Sequence, residues 1–305
     1  MSKTGQLDRV FGQSSAAPPQ TPPGRIALRV AEASALELDP RPAQILNFGS
    51  QLLHGTVGLP ASRRVTEAAG VRTIDIPTVL LSVIPHFDAV HHLDVPAEWI
   101  ARALRDLDGA GALRELRLVT SGYLASPAQT AAVAAAVRSA DSEIPLLLDP
   151  TLGDTELGFY TDPALVGALR SELVPLATGL TPNLFELAHL SGAPLDSLTS
   201  PTPIARAARS LITARTQWVV VTGVRSPVTT SVGEVIVTAT EHCAHWHAPL
   251  RTSAKGLGDT FTAALAVELS AMMPAVFPDL SHLAAAVDVA AETVRRATAH
   301  PYPLS

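Results

Sequence analysis

The chain has little of several features that whole classes of protein require. Its single cysteine, Cys243, cannot form an internal disulfide. No continuous apolar stretch reaches the roughly 18 residues of a membrane span. Lys and Arg total 22 against 28 Asp and Glu, so no basic field exists to gather nucleic acid or anionic lipid. We therefore expect no membrane and no nucleic-acid partner, and a small molecule as the substrate.

What is present is the composition of a globular enzyme. The 305 residues are 47% hydrophobic and 16% charged, which suits one domain with a sizeable core. Residues 1–42 are predicted to be an N-terminal extension, disordered from Met1 to about Pro23 because Ser and Pro dominate there. Residues 25–38 fit strand and helix equally. The first residues lack the apolar core of a secretory signal, so we expect a cytoplasmic location.

From Ala43 onward, short apolar runs alternate with longer amphipathic ones. This rhythm is typical of βαβ units, and it predicts an α/β fold over residues 43–305 with a mostly parallel central sheet, helices on both faces and ligands at the carboxyl ends of the strands. Near the end an antiparallel pair is expected, followed by two helices. Strands are predicted at 43–48, 71–76, 116–120, 145–149, 179–181, 218–222, 234–240 and 243–247, and helices at 59–69, 96–106, 127–140, 163–172, 183–191, 202–214 and 280–298.

The most informative motif is Lys255-Gly256-Leu257-Gly258-Asp259, which precedes an apolar run at helical spacing. Glycine lets a ligand approach the backbone closely, and the unpaired N–H groups and dipole of a helix N-terminus attract phosphate. The adjacent carboxylate could accept a proton from an attacking hydroxyl. The motif therefore suggests phosphoryl transfer, although two glycines can also form a tight turn before a buried helix.

Further polar groups follow predicted strands. Asp149 and Asp154 are hard oxygen ligands of the kind that hold Mg²⁺ beside phosphates, often through water. Asn183 and Glu186 open a helix and are either caps or metal-side ligands. Thr222 either binds a phosphate or terminates its strand. For Asp149 and Asp154 there is a simpler alternative to metal binding: Asp149 caps the loop and Asp154 is exposed to solvent.

The expected substrate side consists of loops that follow other strands. The segment from Ser50 to Gly58 supplies hydroxyl, amide and imidazole groups in a glycine-containing loop. Thr78 and Tyr123 follow two further strands, and His86 lies in the loop after the first of them. His91 and His92 with Asp94 are read as a surface turn, because no second cluster completes a metal site.

The order of these motifs resembles the ribokinase-like superfamily, and within it the bacterial pyridoxal/pyridoxine kinases. The resemblance covers about Ile45 to Thr298. Beside the motifs above, its most specific segments are Pro77–Ser82, Pro85–Asp88, Glu98-Trp99, Leu113–Arg117 and Val119–Tyr123.

The resemblance implies ATP-dependent phosphorylation of the 5′-hydroxymethyl group of pyridoxal, pyridoxine or pyridoxamine. Asp259 would be the general base, and Gly256 and Gly258 would stabilise the phosphoryl group in transfer. It also implies Mg²⁺, leaves a monovalent cation open, and suggests a homodimer. The implied vitamin B6 contacts are Ser50, Thr78, His86, Tyr123 and Asp259; the ATP contacts are Asp149, Thr181, Asn183, Glu186, Thr222, Lys255 and Leu257, with His247–Leu250 nearby; the metal contacts are Asp149, Asp154, Tyr160 and Glu186.

Three positions depart from the family pattern. Leu257 stands where threonine is usual, and Leu59 and Val83 stand where asparagine is common. The change at Leu257 removes a hydroxyl near the phosphate site, and the changes at Leu59 and Val83 remove polar groups near the substrate side. Two other interpretations therefore stay open: a kinase for another hydroxymethyl heterocycle such as the thiamin-precursor pyrimidine, and a low-activity homologue that binds B6 vitamers or nucleotide.

Overall fold

The computed structural model describes residues 39, 41–140, 144–250, 252–272 and 279–299. The tail predicted to be disordered and the ambiguous segment 25–38 lie outside the described residues. The domain predicted from residue 43 onward is described for most of its length.

Among the described residues, nine strands form one sheet in the order β11-β10-β9-β8-β5-β4-β1-β2-β3. The six strands from β9 to β2 in this order are parallel, whereas β3, β10 and β11 pair antiparallel with their neighbours. Two short strands, β6 and β7, form a separate hairpin. The strand bounds are β1 Ile45–Leu52, β2 Thr73–Leu81, β3 His92–Asp94, β4 Leu118–Ser121, β5 Leu146–Leu148, β6 Gly153–Asp154, β7 Gly158–Phe159, β8 Gly179–Leu180, β9 Trp218–Arg225, β10 Val232–Thr238 and β11 His242–His247.

Helices cover both faces of this sheet. They are α1 Leu59–Ala68, α2 Ala97–Gly109, α3 Pro127–Ser139, α4 Ala164–Ala168, α5 Leu184–Ser191, α6 Pro201–Arg209, α7 Leu257–Met272 and α8 Leu280–Ala299. Helices α1, α7 and α8 pack on one face, and the apolar side chains of α2 to α6 pack on the other. Side chains alternate along a strand, so in β1 Ile45 enters the first layer and Leu46 the second. The predicted fold class is confirmed.

The ends of the strands differ from the prediction where polar residues are buried. Strand β1 continues through Ser50, and β2 continues through Thr78, so neither residue lies in a loop. Both are buried, and a bulge in the β1–β2 register falls at this point. Strand β9 runs to Arg225, so Thr222 does not terminate it.

Three further differences concern short elements. The surface turn predicted around His92 is wrong, because His92–Asp94 pairs with β2 as the exposed edge strand β3. The hairpin β6–β7 has no counterpart in the prediction. The helix predicted over residues 163–172 ends as α4 at Ala168, and the chain continues in a π-helical turn, Leu169–Leu173.

In the part of the chain that the structure describes, we find no helix that is both long enough and apolar enough to span a membrane.

Candidate active site

The turn before α7 packs closely against the loop after β1. Gly256 has φ 83°, and a Cβ built on it would lie 2.4 Å from the carbonyl oxygen of Thr56. Only glycine fits this position without a backbone shift. Burial raises the pKa of Asp259, while the N–H of Gly58 and its own N–H, which face the carboxylate, lower it. The general-base candidate is thus held between the α7 N-terminus and the substrate-side loop.

Asp149 lies directly beside this turn. A Cβ on Gly258 would be 4.0 Å from Asp149 Oδ2. The same oxygen accepts the hydroxyl of Thr262 at 2.9 Å, and Thr262 Oγ1 is 3.1 Å from Thr181 Oγ1. Burial raises the pKa of Asp149, the nearby Asp259 carboxylate raises it further, and the hydroxyls of Thr262 and Thr151 lower it. Asp149 and Thr181, both predicted to contact ATP, therefore both contact Thr262 of α7.

Glu186 is buried and serves as a helix cap. Its Oε2 accepts the N–H of Asn183 at 2.9 Å, while Asn183 Oδ1 accepts the N–H of Glu186 at 3.0 Å, so the predicted cap is a complete capping box. Glu186 Oε1 also accepts the N–H of Leu152 at 3.0 Å. Burial raises the pKa of Glu186 well above its usual value, and the Asp149 charge adds to this. Asn183 forms a parallel bridge with Thr222, which brings this part of β9 next to the start of α5.

Tyr160 and Asp154 lie near the carboxylates of Asp149 and Glu186. Burial raises the pKa of Tyr160, and the charges of Glu186, Asp149, Asp154 and Asp259 raise it further. Asp154 Oδ1 accepts the N–H groups of Glu156 at 2.9 Å and Leu157 at 2.7 Å, so it caps the β6–β7 turn. The four residues predicted for the metal therefore lie around one acidic region.

The donor set fits Mg²⁺ held partly by water and phosphate. Among the described residues, no ion pair involves Asp149, Glu186 or Asp259. Within the same ranges, no three His, Cys, Asp or Glu side chains are placed to enclose an ion by themselves. The carboxylates of Asp149, Glu186 and Asp154, which lie near Tyr160, are hard oxygen donors of the kind that bind Mg²⁺ together with waters and substrate phosphates.

The substrate-side residues fall into two groups. Ser50 lies against Gly58, since a Cβ on Gly58 would be 2.1 Å from Ser50 Oγ, and Gly58 is the residue whose N–H faces Asp259. The other group is built around Thr78, whose fully buried hydroxyl donates to the Tyr123 carbonyl at 2.6 Å. Burial raises the pKa of Tyr123, and the Asp94 charge adds to the effect.

Gln129 on α3 holds the second group together. Its Nε2 donates to the carbonyls of Thr78 and Val95, both at 2.7 Å, and its Oε1 accepts the N–H of Ala125 at 2.8 Å. Sequence reasoning missed Gln129 and also Thr262. For Gln129 the Ser126-Pro127 helix start marked the position of the first turn, but nothing local indicated which strand the amide would reach.

Two predicted residues are not drawn into these contacts. His86 is exposed in the loop after β2, and its imidazole makes no hydrogen bond or ion pair with the described residues. Lys255 is exposed beside Gly256, at the mouth of the α7 turn.

The three departures from the family pattern are packed as apolar residues. Leu59, the first residue of α1, is 2% exposed, and it faces Gly49. Leu257 is half-buried and packs against the cluster formed by α7, α8 and the sheet. Val83 is half-buried after the end of β2. At Leu59 and Leu257 the missing polar group is therefore replaced by core contact.

Comparisons with known proteins identify the family of the chain. The phosphomethylpyrimidine kinase family model matches residues 68–304. A pyridoxine/pyridoxal/pyridoxamine kinase of Bordetella bronchiseptica is 37% identical over 253 residues, or 81% of this chain and 88% of the relative. The kinase of the same description from Bordetella avium is 34% identical over 232 residues, covering 74% of this chain and 77% of the relative.

Solved structures show the same fold. The pyridoxal kinase from Entamoeba histolytica superposes with a TM-score of 0.75 at 19% identity, covering 85% of this chain and 89% of that one. The ADP complex of Bacillus subtilis pyridoxal kinase gives a TM-score of 0.70 at 22% identity, covering 86% of this chain and 94% of that one.

A parallel α/β sheet whose carboxyl edge gathers acidic side chains around a glycine-opened helix is the architecture of a small-molecule kinase. The chain belongs to the phosphomethylpyrimidine kinase family.

Proposed function

We propose that this protein transfers the γ-phosphoryl group of ATP to the 5′-hydroxyl of pyridoxal, pyridoxine or pyridoxamine. The observation that carries the proposal is the position of Asp259. Its carboxylate faces the N–H of Gly58 on the substrate side, and it lies in the first turn of α7, one residue after Gly258, which faces Asp149 on the nucleotide side. Support comes from the Bordetella bronchiseptica relative, a pyridoxine/pyridoxal/pyridoxamine kinase.

In the proposed reaction Asp259 accepts the proton of the 5′-hydroxyl as its oxygen attacks the γ-phosphorus. The bond between that phosphorus and the β–γ bridging oxygen breaks, and ADP leaves. The N–H groups of Gly256, Leu257 and Gly258 face the transferred group, because the first N–H groups of a helix have no partner within the helix. Positioning and charge stabilisation supply most of the rate in this kind of chemistry.

Mg²⁺, when bound, neutralises phosphate charge and orients the transferred group. Asp149 faces the α7 turn and would hold the ion directly or through water. Glu186 already accepts backbone N–H groups with both oxygens, so it would act through water. Tyr160 and Asp154 border the same region. A monovalent cation is a further proposal, and it would be tested by comparing turnover in K⁺, Na⁺ and tetramethylammonium salts.

The direct test is to incubate purified full-length protein with Mg-ATP and each of the three B6 vitamers, and to quantify the phosphorylated product. We expect turnover with at least one vitamer. Absence of product from all three would refute the proposal. The hydroxymethyl pyrimidine that precedes thiamin belongs in the same assay, because the matching family model describes phosphomethylpyrimidine kinases; product from the pyrimidine alone would establish that second candidate. Tight vitamer or nucleotide binding without turnover would favour a binding protein.

Replacing Leu257 by threonine tests whether the missing hydroxyl limits catalysis. Because the Leu257 side chain packs against the apolar cluster, we expect Leu257→Thr to lower the free energy of unfolding by about 1 kcal/mol. We expect turnover to change by less than about three-fold, since the backbone N–H of this residue is unaltered. Steady-state kinetics and thermal unfolding measure the two effects, and a large gain in turnover would contradict the expectation.

The proposal includes a cytoplasmic location, where ATP is available, and a homodimer, which the family resemblance suggests. Cell fractionation checks the first, and sedimentation equilibrium checks the second.

A further inference from the structure

Thr262 is a buried residue of α7 that links two other chain segments. It lies three residues after Asp259, so both side chains project from the same side of the helix. Its Oγ1 is 2.9 Å from Asp149 Oδ2, across a sequence separation of 113 residues. The same Oγ1 is 3.1 Å from Thr181 Oγ1, across a separation of 81 residues. Helix α7 is thereby tied to the ends of β5 and β8.

The direction of these hydrogen bonds follows from counting hydrogens. A hydroxyl carries one hydrogen and two acceptor lone pairs, whereas an ionised carboxylate only accepts. Thr262 donates to Asp149, so its only hydrogen is used. Thr181 must then donate to Thr262. The result is a one-way chain of hydroxyls that ends at the carboxylate oxygen facing Gly258.

Asp149 has few other constraints. Among the described residues, the one hydrogen bond to its Oδ1 comes from the Thr151 hydroxyl at 3.4 Å, a long contact. No cationic side chain pairs with it among the described residues. The Thr262 hydroxyl is therefore the main group that fixes the direction of the Asp149 carboxylate.

We propose that Thr262 is a positioning residue for the magnesium–nucleotide complex, which it serves by aligning the Asp149 carboxylate beside the α7 N-terminus. This proposal rests on one part of the proposed function, namely that the protein binds a magnesium nucleotide. Thr262 itself touches neither the ion nor the vitamer. Its effect passes through Asp149 and so differs from a general contribution to packing.

The test compares Thr262→Val, which keeps the shape and loses the hydroxyl, with Thr262→Ser, which keeps the hydroxyl. Isothermal titration of the full chain measures the Kd for Mg-ATP and, with EDTA present, for metal-free ATP. We expect Thr262→Val to raise the Kd for Mg-ATP about ten-fold, because a hydrogen bond to a charged group is lost. The Kd for metal-free ATP should change less than about two-fold, and Thr262→Ser should behave as wild type.

A double-mutant cycle separates positioning from packing. In an Asp149→Asn background, we expect Thr262→Val to have no further effect on Mg-ATP binding. An equal loss in both backgrounds, or an equal loss for metal-free ATP, would overturn the proposal; so would wild-type binding by Thr262→Val. If thermal unfolding shows that the valine variant does not fold, Thr262→Cys replaces it. The cysteine thiol is of similar size and only a weak donor, so we expect it also to raise the Kd for Mg-ATP.

These measurements need no vitamer, which keeps the two proposals apart. Wild-type protein that binds Mg-ATP but phosphorylates no B6 vitamer contradicts the proposed function alone. Wild-type protein that does not bind Mg-ATP contradicts both.

Discussion

Asp259→Asn is expected to lower turnover by a factor on the order of 10² to 10⁴, the range that general-base groups contribute. The amide keeps the size of the side chain and its oxygen can still face the Gly58 N–H, so the loop after β1 and the α7 turn should stay packed together. What is lost is the ability to accept the proton of the substrate hydroxyl. Steady-state kinetics with the preferred vitamer measures the effect.

Folding and nucleotide binding should survive this change. Asp259 is one of the charges that raise the pKa of Asp149, so its removal relieves repulsion inside the acidic region. We therefore expect the unfolding temperature of Asp259→Asn to equal or exceed that of the wild type. Glu268→Gln makes the same carboxyl-to-amide change farther along α7 and should leave turnover unaltered. Wild-type turnover in Asp259→Asn would exclude this residue as the base.

The fold was accessible from the sequence because its main signals are local. The Ser126-Pro127 pair marks the start of α3, and the Asn183 to Glu186 spacing marks the start of α5. Strand ends were less accessible. Ser50 and Thr78 are polar residues that resemble loop by composition, yet pairing between β1 and β2 buries both. Strand β3 has only three residues, all exposed, and such a short strand shows no alternation of apolar and polar residues in the sequence.

The sequence alone could predict the acidic residues of the site but not the helical residues that hydrogen-bond to its other parts. Asp149, Glu186 and Asp259 follow helix or strand boundaries, and the carboxyl ends of parallel strands meet at one edge, so their neighbourhood follows from order along the chain. Thr262 and Gln129 were not accessible. Each lies inside a helix, and each acts through hydrogen bonds to segments far away in sequence. Only the packed structure shows which helical polar residues face the site.

The same added methyl group should have opposite effects on stability at the two glycines of the α7 turn, while it lowers turnover at both. At Gly256 an alanine would need φ near 83° and would place its Cβ 2.4 Å from the Thr56 carbonyl oxygen. We expect Gly256→Ala to lower the free energy of unfolding by about 1–3 kcal/mol. Turnover should fall by at least about 100-fold, because a displacement of about 1 Å in the groups that position the reactants is enough for such a loss.

Gly258 is the matched control, because it lies inside α7 and the nearest atom to an added Cβ is Asp149 Oδ2 at 4.0 Å. Alanine is the better helix former by about 0.5–1 kcal/mol, so Gly258→Ala should unfold at the same or a higher temperature. Yet its methyl group would stand where the phosphoryl group approaches the helix N-terminus, and turnover should fall by about ten-fold or more. Thermal unfolding and kinetics on both variants separate the two roles. Wild-type turnover in Gly258→Ala would mean that the phosphoryl group does not bind at the α7 N-terminus. Wild-type stability in Gly256→Ala would contradict the close packing of Gly256 against the Thr56 carbonyl.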